Sequence, residues 1–160
     1  MCWRTTQSIF RNPASHNLEY RGERSAITAD IEERLYRYLR HRIAETSGAF
    51  LFEVGGVEDH IHLAVRVPPT ITLSTWIGQL KGSSSHYINH QTGRRHRLDW
   101  QEGYGAVSFG RKDLESVCDY IRRQKEHHAR GTLNRRLECT ESPDEQPAGV
   151  NAGGDKEKGR

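Results

Sequence analysis

A chain of 160 residues with a hydrophobic share of 34% has the length of one domain, with a small core and an extensive polar surface. No apolar run approaches the ~18 residues of a membrane span, and the first residues lack the apolar core of a secretory signal, so we expect a cytoplasmic protein without a membrane partner. The three cysteines are widely spaced, which argues against a disulfide framework and against a cysteine-rich zinc site.

The net charge of +3 is unevenly distributed along the chain. Residues 1–80 are neutral, residues 81–136 carry 12 Lys and Arg against 6 Asp and Glu, and residues 137–160 carry 3 against 6. The middle segment also holds five of the nine histidines. Such a basic segment predicts phosphate contacts, and the alternative interpretation is a merely solvated surface.

The first predicted elements are a short strand and a helix. The strand ends at residues 2–6, and a polar, irregular stretch over residues 11–24 follows it, so we expect that the sheet lacks part of this strand. Apolar residues at helical spacing then predict a helix, which Gly48 ends. These residues are Ile31, Leu35, Leu39 and Ile43.

A hairpin is predicted next, with a strand over residues 49–54, a tight turn at Gly55-Gly56 and a second strand over residues 57–67. Because side chains alternate along a strand, His60 and His62 share one face of the second strand with Ala64, and the other face is apolar. A sheet presents a metal site in this way. The alternative is a pair of histidines that form hydrogen bonds near solvent.

The second predicted helix begins near Thr72 and continues to Ile88 across the sequence Gly82-Ser-Ser-Ser. Lys81 and these serines could face a phosphate backbone, and the alternative is a frayed or kinked helix with solvated hydroxyls. A polar, basic loop and a glycine-marked strand that ends at Phe109 follow this helix.

The third predicted helix spans residues 113–129, and its buried stripe adjoins a second stripe with unusual chemistry. Tyr120, Gln124 and His127 lie along that second stripe at i, i+4 and i+7, so a phenol and an amide oxygen face the same way. From residue 137 the chain is rich in Ser, Pro, Asp, Glu, Gly and Lys, and we expect a disordered tail over residues 137–160.

The resulting order is βαββαβ followed by a helix, which is a ferredoxin-like α+β arrangement. We therefore expect one domain over residues 1–136. In this fold a β-sheet has helices on one face, and the C-terminal helix carries the tyrosine.

Four segments of the chain resemble the single-tyrosine HUH transposases of the IS200-like insertion sequences, a family that includes the transposases associated with repetitive extragenic palindromes. The order and spacing of these segments also fit the family, and together they cover about residues 28–130. The segments are residues 58–63 (EDHIHL) with the prolines at 68–69, residues 80–85 (LKGSSS), residues 100–108 (WQEGYGAVS) and residues 119–128 (DYIRRQKEHH).

The resemblance implies a DNA transposase that cleaves and rejoins single-stranded DNA at hairpin-containing ends. Tyr120 would be the catalytic nucleophile, which forms a 5′-phosphotyrosine link and leaves a free 3′-hydroxyl. His60, His62 and Gln124 would hold a divalent metal, Mg²⁺ or Mn²⁺. The resemblance also implies a homodimer in which the tyrosine helix of one subunit can complete the active site of the other.

The residue types make chemical sense for this reaction. A phenol whose pKa is near 10 is a poor nucleophile at neutral pH, so it needs a Lewis acid that polarises the phosphate. Two imidazoles and one amide oxygen are neutral ligands that leave coordination positions open for water and phosphate.

Candidate DNA-binding residues are Lys81, Ser84, Arg94, Arg95, Arg97, Arg111, Lys112 and Arg123.

Two other functions stay open at the level of the sequence. The first is a non-catalytic hairpin DNA-binding protein derived from a transposase, which the basic segment and the short first strand favour. The second is a metal-dependent hydrolase that uses the same metal site with water as the nucleophile and forms no covalent intermediate.

Overall fold

The computed structural model describes residues 6–13, 27–91 and 98–138, and it describes residues 6–13 by their backbone alone. Most of the predicted tail, residues 139–160, lies outside these ranges. The elements in chain order are β1 (Thr6–Pro13), α1 (Ala29–Ala44), β2 (Phe50–Gly56), β3 (His60–Val67), α2 (Leu73–Gln91), β4 (Gly105–Phe109), a 3₁₀ turn (Arg111–Asp113), α3 (Leu114–Arg122), α4 (Gln124–Arg130) and α5 (Arg135–Glu138).

The four strands form one antiparallel sheet in the order β2-β3-β1-β4. This order confirms the ferredoxin-like α+β prediction, because the first and third strands lie side by side at its centre. Within the described ranges, none of the helices is both long and apolar enough to cross a bilayer.

The position predicted for the first strand is wrong. The strand begins at Thr6, where the prediction ended it, and it includes Asn12 and Pro13, which read as part of an irregular polar stretch. All eight residues of β1 pair with β3, and five of them also pair with β4. A central strand has backbone partners on both sides, so β1 forms without a clear alternating pattern, and this part of the sheet is complete.

The two faces of β3 pack against different helices, as the alternation predicts. The apolar face joins the larger core, which α1 and α2 cover. Its residues are Ile61, Leu63, Val65 and Val67. On the opposite face, Ala64 packs with Val117 and Ile121 of α3 and with Leu137 of α5. The histidine face is therefore covered by the tyrosine-bearing end of the chain.

Helix α2 runs without a break through Gly82 and the three serines that follow it. The hydroxyl groups of Ser84 and Ser85 each donate a hydrogen bond to the carbonyl oxygen of Lys81, at 3.0 Å. These bonds to the preceding turn satisfy the hydroxyls inside the helix, so the serine run does not end it.

Gly55 and Gly56 do not form the predicted tight turn, because they are the last two residues of β2 and pair with His62 and Ile61. The turn consists of residues 57–59. A Cβ atom at Gly55 would lie 2.2 Å from the backbone oxygen of Ile121. Glycine at this position therefore allows the end of α3 to lie directly against the strand beside His62.

Candidate active site

The helix predicted over residues 113–129 is divided at Arg123, which has φ −99° and ψ 19°. The backbone N–H of Arg123 still donates to the carbonyl oxygens of Asp119 and Tyr120, at 3.1 and 3.2 Å. Because the chain continues in the same sense into α4, Tyr120 and Gln124 remain on one side, as predicted from their spacing.

His60 and His62 are both fully buried, and their ring centroids are 5.0 Å apart. The Nδ1 atom of His60 lies 2.6 Å from a carboxylate oxygen of Asp59, the residue before it. A carboxylate on one ring nitrogen fixes the orientation of the imidazole and leaves the other nitrogen available as a ligand. The Nε2 atom of His60 consequently faces the interior of the site.

The side chain of Glu138, at the end of α5, lies at the centre of the site. Its Oε1 atom accepts a hydrogen bond from the Tyr120 hydroxyl at 2.6 Å and one from Nε2 of Gln124 at 3.2 Å. The same oxygen lies 3.4 Å from Nε2 of His62, and the other oxygen lies 3.4 Å from Nε2 of His60. Four predicted site residues thus meet at one carboxylate.

The sequence interpretation missed Glu138, because it assigned residues from 137 onward to a disordered tail. In the structure Leu137 is buried against the tyrosine helix, and Glu138 completes the site. The only signal in the sequence was Leu137 itself, a single apolar residue in a polar stretch. Helix α5 therefore extends past the predicted boundary at residue 136.

The environment of Tyr120 makes its hydroxyl a weaker acid. Burial and the hydrogen bond to Glu138 raise the pKa of Tyr120 to about 12, although the backbone N–H of Asn134, 3.0 Å from the hydroxyl oxygen, acts in the opposite direction. Burial alone would raise the pKa of Glu138, but the neighbouring imidazoles of His60 and His62 and the hydrogen bond from Tyr120 hold it well below its usual range. At neutral pH the phenol therefore keeps its proton and the carboxylate is ionised.

The ring of His127 stacks on the ring of Tyr120, with centroids 4.6 Å apart and an interplanar angle of 27°. Nδ1 of His127 lies 3.0 Å from the hydroxyl oxygen of Thr132. These contacts restrict rotation of the phenol, and they give a role to the third member of the predicted stripe.

The donor atoms at this site are suited to a metal ion. One ligand atom each from His60, His62 and Glu138 can be chosen so that all lie within 4.8 Å of one another. Oε1 of Gln124 is buried and has no hydrogen-bond partner within the described ranges. Imidazole nitrogens with carboxylate and amide oxygens suit divalent first-row metals such as Mn²⁺. The residues present therefore fit a divalent ion.

Apart from Ser84, the predicted DNA-binding residues fall into three groups. Arg111, Lys112 and Arg123 are exposed close to the ends of α3 and are available to a ligand. Nζ of Lys81 donates to the backbone oxygens of Gln101 (2.8 Å) and Gly103, so it holds the segment that leads into β4. The remaining arginines lie outside the described residues, and they are Arg94, Arg95 and Arg97.

Among the predicted DNA-binding residues that the structure describes, Ser84 is the one that is excluded from the surface. It is fully buried, and its hydroxyl oxygen accepts a hydrogen bond from Nε1 of Trp100 at 2.9 Å. The prediction of a DNA contact is wrong, because the side chain points from α2 toward the core and not toward solvent.

A Ser84→Ala substitution is expected to lower the free energy of unfolding by about 1 to 2 kcal/mol, because the indole N–H of Trp100 loses its partner. Urea unfolding measures this change. Hairpin binding by the Ser84→Ala protein should stay at the wild-type level. The control is Lys112→Ala, which changes an exposed side chain and should leave the free energy of unfolding unchanged. A loss of DNA affinity in Ser84→Ala without a loss of stability would contradict the assignment.

Several known proteins are similar to this chain in sequence or in fold. The family model described as "Transposase IS200 like" matches residues 18–124, which is more than half of the chain. The transposases of insertion sequence element IS200 from Salmonella typhimurium LT2 and Salmonella typhi are each 28% identical over 134 residues. Each alignment covers 81% of this chain and 82% of the relative.

Two solved structures share the fold. A crystal structure of a Deinococcus radiodurans R1 protein described as a transposase has a TM-score of 0.54 and 17% identity, and the match covers 75% of this chain and 91% of that chain. A REP-associated tyrosine transposase bound to a REP hairpin has a TM-score of 0.53 and 15% identity, with 83% and 73% covered. The family match, the relatives and the shared fold together show that this chain belongs to the IS200-like transposases.

Proposed function

We propose that this transposase cleaves and rejoins single-stranded DNA at hairpin-containing ends through a 5′-phosphotyrosine intermediate. The observation that carries the proposal is the meeting of the Tyr120 hydroxyl with Nε2 of both His60 and His62 at the carboxylate of Glu138. A nucleophile beside a pair of metal-ligating side chains is the arrangement that phosphodiester attack by a phenol needs.

In the proposed reaction the Tyr120 oxygen forms a bond to phosphorus, and the bond from phosphorus to the 3′-oxygen breaks. The phenol loses one proton and the departing 3′-oxygen gains one, so a free 3′-hydroxyl remains. Glu138 accepts the hydrogen bond of the phenol and so orients its hydroxyl in the site. Because the phosphotyrosine conserves the phosphodiester energy, rejoining needs no nucleotide cofactor.

We propose that a divalent ion, Mg²⁺ or Mn²⁺, is held by His60, His62 and Gln124. When bound, such an ion would polarise the phosphate and stabilise negative charge in the transition state. The protein prepares this site in two ways. Asp59 orients the imidazole of His60, and the stacked ring of His127 limits the motion of Tyr120. The raised pKa of Tyr120 is a further reason for a cation, because the phenol alone ionises too weakly.

The proposed substrate is a hairpin with adjoining single-stranded DNA. The REP hairpin bound to one structural neighbour supports this class of ligand. Exposed Arg111, Lys112 and Arg123 lie close to the tyrosine helix and are candidates for contacts with the phosphate backbone.

We also propose a homodimer of single-domain subunits. In the single chain Tyr120 lies beside the histidines of its own subunit, so the arrangement seen is a cis site. A trans site would require α3 and α4 to move to the partner subunit, and the turn at residues 111–113 is the segment that would have to change.

The test uses single strands that carry the palindromic hairpins nearest to the gene, labelled at the 3′ end and incubated with Mn²⁺ or EDTA. A labelled, protein-sized band on a denaturing gel in Mn²⁺ alone supports the proposal. Cleavage without protein-bound label would favour a hydrolase. Tight binding without cleavage would favour a non-catalytic hairpin-binding protein, although the complete first strand has removed one reason for that alternative.

A further inference from the structure

We infer that Glu138 is a ligand of the same divalent ion as His60 and His62, so that α5 is part of the metal site. This inference rests on the metal site of the proposed function. It extends the site beyond the matched family region, which ends at residue 124, to a residue in a segment that the sequence interpretation assigned to the tail.

The distances between the donor atoms support a shared ion. Each carboxylate oxygen of Glu138 lies 3.4 Å from Nε2 of one histidine, Oε2 from His60 and Oε1 from His62. This separation exceeds the usual range of a hydrogen bond between nitrogen and oxygen. Two atoms that each lie about 2.1 Å from one ion are about 3.0 to 3.4 Å apart at octahedral to tetrahedral angles. These two separations therefore match those of ligands around a common centre.

Two neighbouring side chains hold the Glu138 carboxylate in this position by hydrogen bonds. Nε2 of Gln124 donates to Oε1 at 3.2 Å, and the Tyr120 hydroxyl donates to the same oxygen at 2.6 Å. Ligating carboxylates in proteins are commonly hydrogen-bonded in this way, which fixes their orientation. The amide of Gln124 thus helps to orient Glu138.

The short helix α5 is also fixed in place by contacts that do not involve the Glu138 carboxylate. Leu137 is buried with Ala64 and Ile121, and Nη2 of Arg136 donates to the backbone oxygen of Ser108 in β4 at 3.1 Å. The backbone N–H of Asn134 donates to the Tyr120 hydroxyl. Glu138 therefore reaches the histidines from an anchored element.

The consequence is a donor set with one negative charge, in place of a neutral set of two imidazoles and an amide. A carboxylate strengthens the binding of a hard divalent cation by direct attraction. Loss of one such group is expected to weaken binding at least about tenfold, which is the lower end of the range for partners around metal ligands.

The test measures Mn²⁺ affinity without DNA, by electron paramagnetic resonance of the free ion, for the wild type and for Glu138→Gln. The substitution keeps the shape of the side chain and removes its charge. Glu115→Gln makes the same change at an exposed position on α3 and is the matched control. We expect a dissociation constant at least about tenfold higher for Glu138→Gln and an unchanged value for Glu115→Gln.

An unchanged or tighter Mn²⁺ affinity in a folded Glu138→Gln protein would overturn the inference. The carboxylate would then lie in the site without contributing to ion binding. If this variant does not fold, amide hydrogen exchange of the wild-type protein with and without Mn²⁺ tests the inference instead. Mn²⁺ should slow amide exchange in peptides that contain residues 135–138, and unchanged exchange there would overturn the inference. Neither measurement involves DNA cleavage, so failure of the proposed reaction would be seen separately, in the adduct assay.

Discussion

Replacing His60 with alanine is expected to reduce the rate of covalent protein–DNA adduct formation in Mn²⁺ at least about a hundredfold. His60 is fully buried, its Nδ1 atom is held by Asp59, and its Nε2 atom faces Glu138. Without this imidazole the site loses an oriented ligand, and the Tyr120 phenol loses the cation that would stabilise its charge. The measurement is a time course of adduct formation on a denaturing gel.

The control for this prediction is His86→Ala, which removes the same side chain at an exposed position on α2. Its adduct rate should equal that of the wild type. Hairpin affinity should be retained in both variants, because the candidate DNA-binding residues are not changed. A folded His60→Ala protein that formed the adduct at the wild-type rate in Mn²⁺ would refute the metal site.

Gly55→Ala is expected to have a large effect for a change of one methyl group, with a loss of about 1 to 3 kcal/mol in the free energy of unfolding. The added Cβ atom would lie 2.2 Å from the backbone oxygen of Ile121 and 3.0 Å from its carbonyl carbon. Backbone atoms in a helix end cannot rotate away, so α3 must shift. Because Tyr120 immediately precedes Ile121, a displacement of about 1 Å would lower the adduct rate about a hundredfold.

Gly78→Ala is the matched control, since a Cβ atom at Gly78 in α2 meets nothing within 4 Å. There the same change should stabilise the protein slightly, by about 0.5 to 1 kcal/mol, because alanine favours the helical backbone. Thermal and urea unfolding compare the two variants. Wild-type stability and activity in Gly55→Ala would show that α3 does not need this close approach.

The parts of the fold that follow from side-chain periodicity were predictable. The two-residue repeat of β3 places His60 and His62 opposite the apolar face, and the structure has them there. The spacing of Tyr120 and Gln124 predicts a common direction, and both side chains reach Glu138. Local periodicity determines which way a side chain points, so such predictions need no knowledge of distant residues.

The errors occurred where tertiary contacts decide the structure. The first strand is stabilised by backbone pairing on both edges. This pairing does not require an alternating sequence pattern, so the strand could not be predicted from one. A glycine pair such as Gly55-Gly56 is typical of a turn. Gly55 instead lies in a strand, where a side chain would collide with the end of α3. Ser84 belongs to a polar run and yet is buried, because Trp100 returns from a later segment to bond with it.

Glu138 shows the same limit at the site itself. It lies in a segment whose composition is that of a disordered tail, and its partners are 14 to 78 residues away in the sequence. The burial of Leu137 and the hydrogen bond from Arg136 to Ser108 hold α5 on the sheet. A carboxylate that reaches the site through tertiary contacts has no local sequence pattern, so the sequence alone does not reveal it.

The central claim is that Tyr120 becomes covalently attached to DNA, and the most direct test locates the attachment. The adduct formed with a hairpin strand in Mn²⁺ is digested with a protease and a nuclease, and the modified peptide is sequenced by mass spectrometry. We expect a nucleotide linked through its 5′-phosphate to Tyr120, with a free 3′-hydroxyl on the other DNA product. A nucleotide on any other residue, or cleavage that leaves a free 5′-phosphate and no protein-bound DNA, would contradict it.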